Sequence, residues 1–330
     1  MPASACLSLS RFMMRTESVA SSKIERITAS ATDYAKALAG NRSNSSATSM
    51  VAASTALHSL VTDVGEKGRF ALNDLLRAHH ALMQADPLEA EYAGRLRDMQ
   101  NWIGGSDHSP RDALHVPPAP ERVPALMDDL ISYLNRDDVP VIVQAAIGHA
   151  QFESIHGFTD GNGRIGRALV SAVLRRRGVT RNAVVPITSG LLAMRDEYFA
   201  ALGDYRQGHP TRMIDLFARS TRVAAVCSRD SIARIKVLPE TWIAELRPRA
   251  GSAVAALIPA FYDHPVMTAA AIEQQSGSSA QQTYKAIVRL EEAGFIQEIT
   301  GRKRKRVWVA SELIAELDDL DRRIQTAMGL

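Results

Sequence analysis

The chain is poor in cysteine. Two in 330 residues, Cys6 and Cys227, exclude a disulfide framework and suit a reducing compartment. Charge bias is missing too: 39 Lys and Arg against 36 Asp and Glu leave +3, so net charge names no partner. No apolar run is long enough to span a bilayer; "VPVIVQAAIGHAQF" carries a proline and polar residues. The N-terminal "MPASACLSLSRFMMRT" has no basic leader region, and serines and Arg11 interrupt its apolar residues, so no signal peptide is expected. A soluble, cytoplasmic protein with no membrane partner is the expectation. Alternation of polar and apolar residues is scarce before residue 290, which leaves little room for sheet there.

Helical periodicity is what the chain has instead. "KIERITASATDYAKALAG" (23–40) places Ile24, Ile27, Ala31 and Leu38 near helical spacing and ends on a glycine stop. The polar "NRSNSSATS" follows. Further helices are expected over 71–85, 89–101 and 121–135. The stretch "IGGSDHSPRDALHVPPAP" cannot be helical. Asp138 is a candidate cap, with Pro140 in the first turn, for a helix running to Ile155. Another should span Asn162 to Gly178, and residues 191–250 read as helix without a break. The expected division is a helical region over 1–110, a core over 111–230, a helical connector over 231–258 and a terminal module over 259–330.

Between the helices ending at Ile155 and starting at Asn162 lies "HGFTDGNGRIGR" (156–167). Free amides around Gly161, Asn162 and Gly163 at a helix start make an anion site, and the glycines let a ligand approach closely. Arg164 and Arg167 oppose the helix dipole there, at about 0.3–1 kcal/mol each, and at i, i+3 spacing they repel each other. A polyanion between them turns both penalties into gains, and a nucleotide phosphate chain fits better than one carboxylate. Asp160 adds a hard oxygen ligand suited to Mg²⁺ beside phosphates. His156 can accept a hydroxyl proton near neutral pH. The set describes phosphate-centred group transfer.

Competing patterns fail. "GNGRIG" satisfies the dinucleotide fingerprint, but "ESIHGFTD" before it is no apolar strand, and no GK[ST] follows for a P-loop. His149, Glu153 and His156 share a helical face, a weak transition-metal pattern without cysteine or H-E-x-x-H.

The stretch resembles the Fic family motif HxFx[DE]GNGRxxR at every fixed position, with Gly157 where the family usually has proline. The similarity extends through "GRLRDMQNWIGG", "SPRDALHVPP" and "PERVPALMDDL", over roughly 20–210. It implies a mainly α protein, a Fic-type bundle with a β-hairpin flap. The implied activity is a nucleotidyltransferase that moves AMP from Mg·ATP to a Ser, Thr or Tyr hydroxyl of a protein. By that resemblance His156 is the general base and Asp160 the metal ligand. Gly161, Asn162 and Gly163 cradle phosphate, Ile165 and Gly166 complete the helix start, and Arg164 and Arg167 hold the β and γ phosphates. Phe158 anchors the loop, and Tyr198 in "RDEYFAAL" lies near the adenine pocket or in the core. Asp112, Ala113, Leu114, His115 and Val116 belong to the flap, which pairs with an extended target strand.

"SSKIER" (21–26) resembles the family's inhibitory motif [ST]xxxE[GN], with Ser21 and Glu25 in place and Arg26 where Gly or Asn is usual. The resemblance implies that Glu25 forms a bidentate pair with Arg167, displacing the γ-phosphate. Ser22 and Glu25 also fit a capping box at a helix start.

From Pro265 the sequence reads as helix, turn at Ser276–Gly277, second helix and β-hairpin, resembling a winged helix-turn-helix. Gln281, Gln282, Tyr284 and Lys285 would face a DNA groove, and Arg302, Lys303, Arg304, Lys305 and Arg306 its phosphates. A protein-docking module and a solvated charge run are the alternatives. The partners implied are ATP, a protein target or the chain itself, and DNA. Family members whose inhibition is relieved by oligomerisation put a homodimer among the options. Two further readings stand beside the transferase: a DNA-binding regulator with a nucleotide-sensing core, and a Fic enzyme that moves another phosphate-containing group or removes AMP.

Overall fold

The computed structural model describes residues 3–106, 109–302 and 304–329, with side chains from residue 10 onward. Its first helix, α1 (Ala3–Ile24), ends two residues into the predicted 23–40 helix. Arg26 N donates to Lys23 O at 3.0 Å and Ile27 N to Ser22 O at 3.0 Å, the paired bonds of a Schellman stop. The helix resumes as α2 (Ala31–Leu38), capped by Ser30 accepting from Asp33 N. Ser22 and Glu25 therefore lie at a helix end, where a capping box has no function, and Ser22 Oγ instead donates to Ser18 O at 3.0 Å.

The 23-residue α3 (Ser45–Lys67) goes beyond the expectations above, although Asn44 caps it and left-handed Gly68 ends it. Its buried stripe of Ala47, Met50, Ala53, Ala56, Leu57, Leu60, Val61 and Val64 is rich in small residues, which blur apolar contrast. Next come α4 (Leu72–Met83), α5 (Val123–Leu134), α6 (Val141–Ile155) and α7 (Asn162–Arg176), close to the expected bounds. Asp138 does not cap α6; its carboxylate pairs with Arg136, and Pro140 takes the cap position.

The helix expected over 89–101 is absent. A single turn, Ala90–Tyr92, gives way to irregular chain at Gly94, which is left-handed (φ 77°) and where a Cβ would crowd His80 and the Leu76 carbonyl. The stretch expected to be continuous breaks into α8 (Ile187–Ala193), α9 (Arg195–Arg206) and α10 (Thr211–Leu246). Gly208 and Pro210 make the second break. α10 runs unbroken across the expected boundary at 230/231.

Around α7, whose residues from Asn162 to Leu174 are nearly all buried, pack α3 on one side and α6 on the other. Downstream, α11 (Ala253–Asp263) packs on α12 (Ala269–Ser276) and α13 (Ala280–Glu292), so the terminal module starts near residue 253. Three short antiparallel strands, β1 (Val266–Thr268), β2 (Ile296–Glu298) and β3 (Val307–Ala310), take the order β1-β3-β2. Val266 faces Val309 and Ile296 faces Ala310 in this register. The β1 strand adds to the hairpin read from the sequence. A last helix, α14 (Ser311–Gly329), returns to pack on α1, α8 and α10. No helix of the described residues is long and apolar enough to cross a membrane.

Candidate functional site

Where α6 ends, His156 adopts a left-handed backbone (φ 49°), an uncommon state for a residue with a Cβ. The surroundings hold it there. Arg97, buried, donates from Nε to His156 O at 2.8 Å and from Nη1 to Met99 O at 2.9 Å, while its own N–H reaches Gly157 O at 2.9 Å. This need for Arg97 to meet the loop explains why the chain before it is not helical. A Cβ at Gly157 would meet Met127, Leu96 and Val123 at ordinary contact distance, so space does not demand glycine there.

The loop then folds on Phe158, fully buried and stacked on the His79 ring at 3.9 Å. His79 Nδ1 accepts from Gly94 N at 2.9 Å, so Nε2–H donates to Asp160 O at 3.1 Å. Burial pushes His79 down to about 4, which keeps both bonds at neutral pH. Asn162 fixes the loop from inside: its Oδ1 accepts from Phe158 N at 2.9 Å and its Nδ2 donates to Phe158 O at 2.8 Å. The second Nδ2 hydrogen is thereby aimed at His156 Nδ1, 3.2 Å away. Asn101 Nδ2 lies 3.0 Å from the same nitrogen, while Asn101 Oδ1 is buried with no hydrogen-bond partner. Burial, reinforced by His115, Arg97 and Arg206, lowers His156 to about 4.

Gly161, left-handed at φ 74°, caps α7. A Cβ on Gly163 would lie 2.0 Å from Glu25 Oε1 and 2.9 Å from Arg167 Nη1, so glycine is what admits a carboxylate to this helix start. Arg167, 1 % exposed, donates from Nη2 to Glu25 Oε1 at 2.6 Å, from Nε to Ser21 Oγ at 2.8 Å and from Nη2 to Ser21 O at 3.0 Å. The guanidinium thus spreads its fork over both residues; it does not grip the carboxylate bidentately. Burial opposes ionisation of Glu25, yet Arg167, with Arg164 and Arg195 behind it, holds the carboxyl below its usual range. Arg164 points elsewhere, from Nη1 to Ser49 Oγ at 2.8 Å, and only weakly to Asp160 at 3.7 Å. The Asp160 side chain is 58 % exposed, with Oδ1 accepting from Gly161 N at 2.6 Å.

These groups line a cavity of about 560 Å³ that also meets Ile103 and Leu114, Glu153 and Arg206, and Tyr198, Phe199 and Leu202. Tyr198 is a core residue, 1 % exposed with its OH 2.9 Å from His149 Nε2; Phe199 is the exposed aromatic on this wall. Arg195 stacks over the Phe199 ring at 4.8 Å and donates to Ile24 O at 3.2 Å, tying that wall to the end of α1. The His149–Glu153–His156 metal pattern fails. His149 is committed to Tyr198, and among the described residues no group of three or more candidate ligands could hold a metal.

The flap is a loose hairpin with two isolated bridges, Ile103 with His115 and Ser106 with Ser109. His115 Nε2 donates to Ser154 O at 2.8 Å, Asp112 is left-handed at its turn, and Ala113 N reaches Pro110 O at 3.1 Å. Leu114 (82 % exposed) and Val116 (51 %) stand out in solvent. In the module, Gln281, Tyr284, Lys285, Arg302, Arg304 and Lys305 are exposed. Gln282 caps its own helix through Ser279, and Arg306 stacks on Trp308 at 4.6 Å. Lys303 lies outside the described residues.

Comparison with known proteins finds similarity over part of the chain. Residues 69–174 match the Fic/DOC family model. That segment, which holds His156 and the start of α7, is similar to a Fic domain. It is 31 % identical over 141 residues to the protein adenylyltransferase fic-1 of Caenorhabditis elegans, covering 42 % of this chain and 24 % of that one. It is 33 % identical over 154 residues to the protein adenylyltransferase Fic of Nematostella vectensis, covering 46 % and 32 %. The matches therefore span a quarter to a third of these relatives' length. A solved Fic family protein from Desulfovibrio desulfuricans shares the fold, with TM-score 0.56 at 23 % identity over 91 % of this chain and 87 % of that one. Around the Fic motif, sequence reading missed Arg97, Asn101, His79, Arg195 and Phe199. Arg97 and Asn101 sit in "GRLRDMQNWIGG", a signal of resemblance that carried no role.

Proposed function

We propose that the chain is a protein adenylyltransferase that moves AMP from ATP to a Ser, Thr or Tyr hydroxyl, held inactive by Glu25. One observation carries this reading: an anion, the Glu25 carboxylate, already lies against Gly163 and Arg167 at the start of α7. Such a seat suits a phosphate equally well, and only one anion fits at a time. The names of the curated relatives point the same way.

In the reaction the hydroxyl oxygen bonds to the α-phosphorus, the bond to the β-phosphate breaks and pyrophosphate leaves. The amides of Asn162 and Gly163 face the phosphates, that of Gly161 joins them on release from Asp160 Oδ1, and Arg167 follows once it leaves Ser21 and Glu25. Arg164 has to turn from Ser49 to share that charge. Asp160, exposed and alone, fits a Mg²⁺ held mostly by phosphate oxygens. When bound, the ion supplies charge neutralisation on the phosphates. His156 takes the hydroxyl proton. Uptake at its Nε2 requires the proton to sit on Nδ1, and Asn101 can accept that Nδ1–H by turning its partnerless Oδ1 inward. Phe199 and Leu202 wall the base, and the exposed edge at Leu114 takes an extended target strand.

Mass spectrometry of wild type, Glu25→Gly and His156→Ala incubated with Mg·ATP and lysate tests this. Residues gaining one AMP in the Glu25→Gly sample alone are expected. Nucleotide binding with no transfer in any sample would favour a sensor, and loss of AMP from a modified protein would reverse the direction. The exposed Lys285, Arg302, Arg304 and Lys305 support a second reading, DNA contact by a winged-helix module. Steep salt dependence of DNA affinity, flattened by neutralising the cations, is its signature.

A further inference from the structure

The last turn of α1 is held from two sides. Toward the Fic domain, Ser21 and Glu25 engage Arg167, and Ile24 O receives Arg195. Toward the terminal module, Lys23 Nζ donates to Asp321 Oδ2 at 2.8 Å, joining α1 to α14 across 298 positions of sequence. The pair is sheltered, with 29 % of the Lys23 side chain and 8 % of the Asp321 side chain exposed. Asp321 Oδ1 is buried with no partner. Glu17, whose carboxylate takes both Thr188 N and Thr188 Oγ1, feels the Asp321 charge as well. Without Lys23, Asp321 would lose its paired cation, and Arg167 alone would offset the mutual repulsion of the two acids at Glu17. Near the middle of α1, Arg11 Nη1 reaches Asp263 O at 3.4 Å and lies 3.3 Å from His264 Nδ1, at the end of α11. The module therefore touches α1 at two places, through α11 and α14.

We propose that the terminal module braces the inhibitory segment: the Lys23–Asp321 pair positions Glu25 on Arg167, and displacement of α14 opens the nucleotide site. The idea rests on the reading that Glu25 competes with ATP. Lys23 is two residues from Glu25 in the same final turn, so a shift of α14 moves the carboxylate directly. Within the module α14 packs on β3, so a ligand on the module acts on the same helix.

The test uses full-length protein and charge reversal. Asp321→Lys and Lys23→Glu should each tighten Mg·ATP binding about tenfold by calorimetry. Combining them restores a pair of opposite sign and should return affinity to within about twofold of wild type. In a Glu25→Gly background, Asp321→Lys should add nothing. The milder Asp321→Asn serves if reversal unfolds the chain. Amide exchange at Arg26 and Ile27, which close the turn, reads the brace without any nucleotide. Protection lost in the single reversals and regained in the pair supports the proposal even if Glu25→Gly leaves ATP affinity unchanged, which would sink only the competition reading. Unaltered protection at those amides in Asp321→Lys, or additive gains with Glu25→Gly, would overturn it.

Discussion

Three helices among the described residues stop on a left-handed residue that has a Cβ: α10 at Arg247, and two that border the site. α6 stops at His156 and α1 at Arg26, with φ of 49° and 61°. The first is locked from all sides: Arg97 on its carbonyl, Asn101 and Asn162 at its ring, Phe158 and His79 beneath. Arg26 is exposed and held only by the backbone bonds of the stop itself. The cost of a left-handed side chain, about 1–2 kcal/mol, is similar at the two ends. What differs is how many contacts overdetermine the conformation. A fixed residue suits chemistry, and a marginal one suits a brake.

The contrast can be broken at its rigid end first. His156→Ala in a Glu25→Gly background should lower AMP transfer by about 10²–10⁴-fold, read by label incorporation. With His156 lowered to about 4, transfer by Glu25→Gly alone should stay level from neutral pH to about 5 and fall only as the ring gains its proton. Loss of activity near pH 6.5 would mean the ring is not buried as described. At the soft end, Glu25→Gly should strengthen Mg·ATP binding by about 5–150-fold, measured by calorimetry. The Glu25 carboxyl is held low, so its pair with Arg167 is present above the usual carboxylate range and lost as pH falls through the lowered value.

Asn101→Leu removes the partnerless oxygen that can accept Nδ1–H, and should cut the turnover of Glu25→Gly about tenfold while leaving ATP affinity alone. Equal loss in affinity would place Asn101 in the scaffold instead. The smallest effect sharpens the comparison from the other side. Arg26→Gly relieves left-handed strain of about 1 kcal/mol, so it should tighten the brake and weaken ATP binding about fivefold. Tighter ATP binding in Arg26→Gly would show that the stop does not set the strength of the Glu25 pair.

The loop from His156 to Arg167 could be read from sequence because its chemistry is local. Three glycines, two arginines and an aspartate at one helix start state the anion site within twelve residues. The same locality misled elsewhere: the 23–40 periodicity hid a stop at Glu25–Ile27, and "EAEYAGRLRDMQN" scored as helix although Gly94 and Arg97 are needed by other elements. α3 escaped because alanine, serine and threonine give little contrast between its faces.

Sequence alone determined the glycine- and arginine-rich start of α7, the helical class and the cationic hairpin, since each depends on neighbours along the chain. Tertiary structure decided that Arg167 divides its guanidinium between Ser21 and Glu25, which amides face His156, and that α14 lies against the helix leading into Glu25. Lys23 and Asp321 are 298 residues apart, and no pattern within a helix can announce a partner that only folding brings to 2.8 Å.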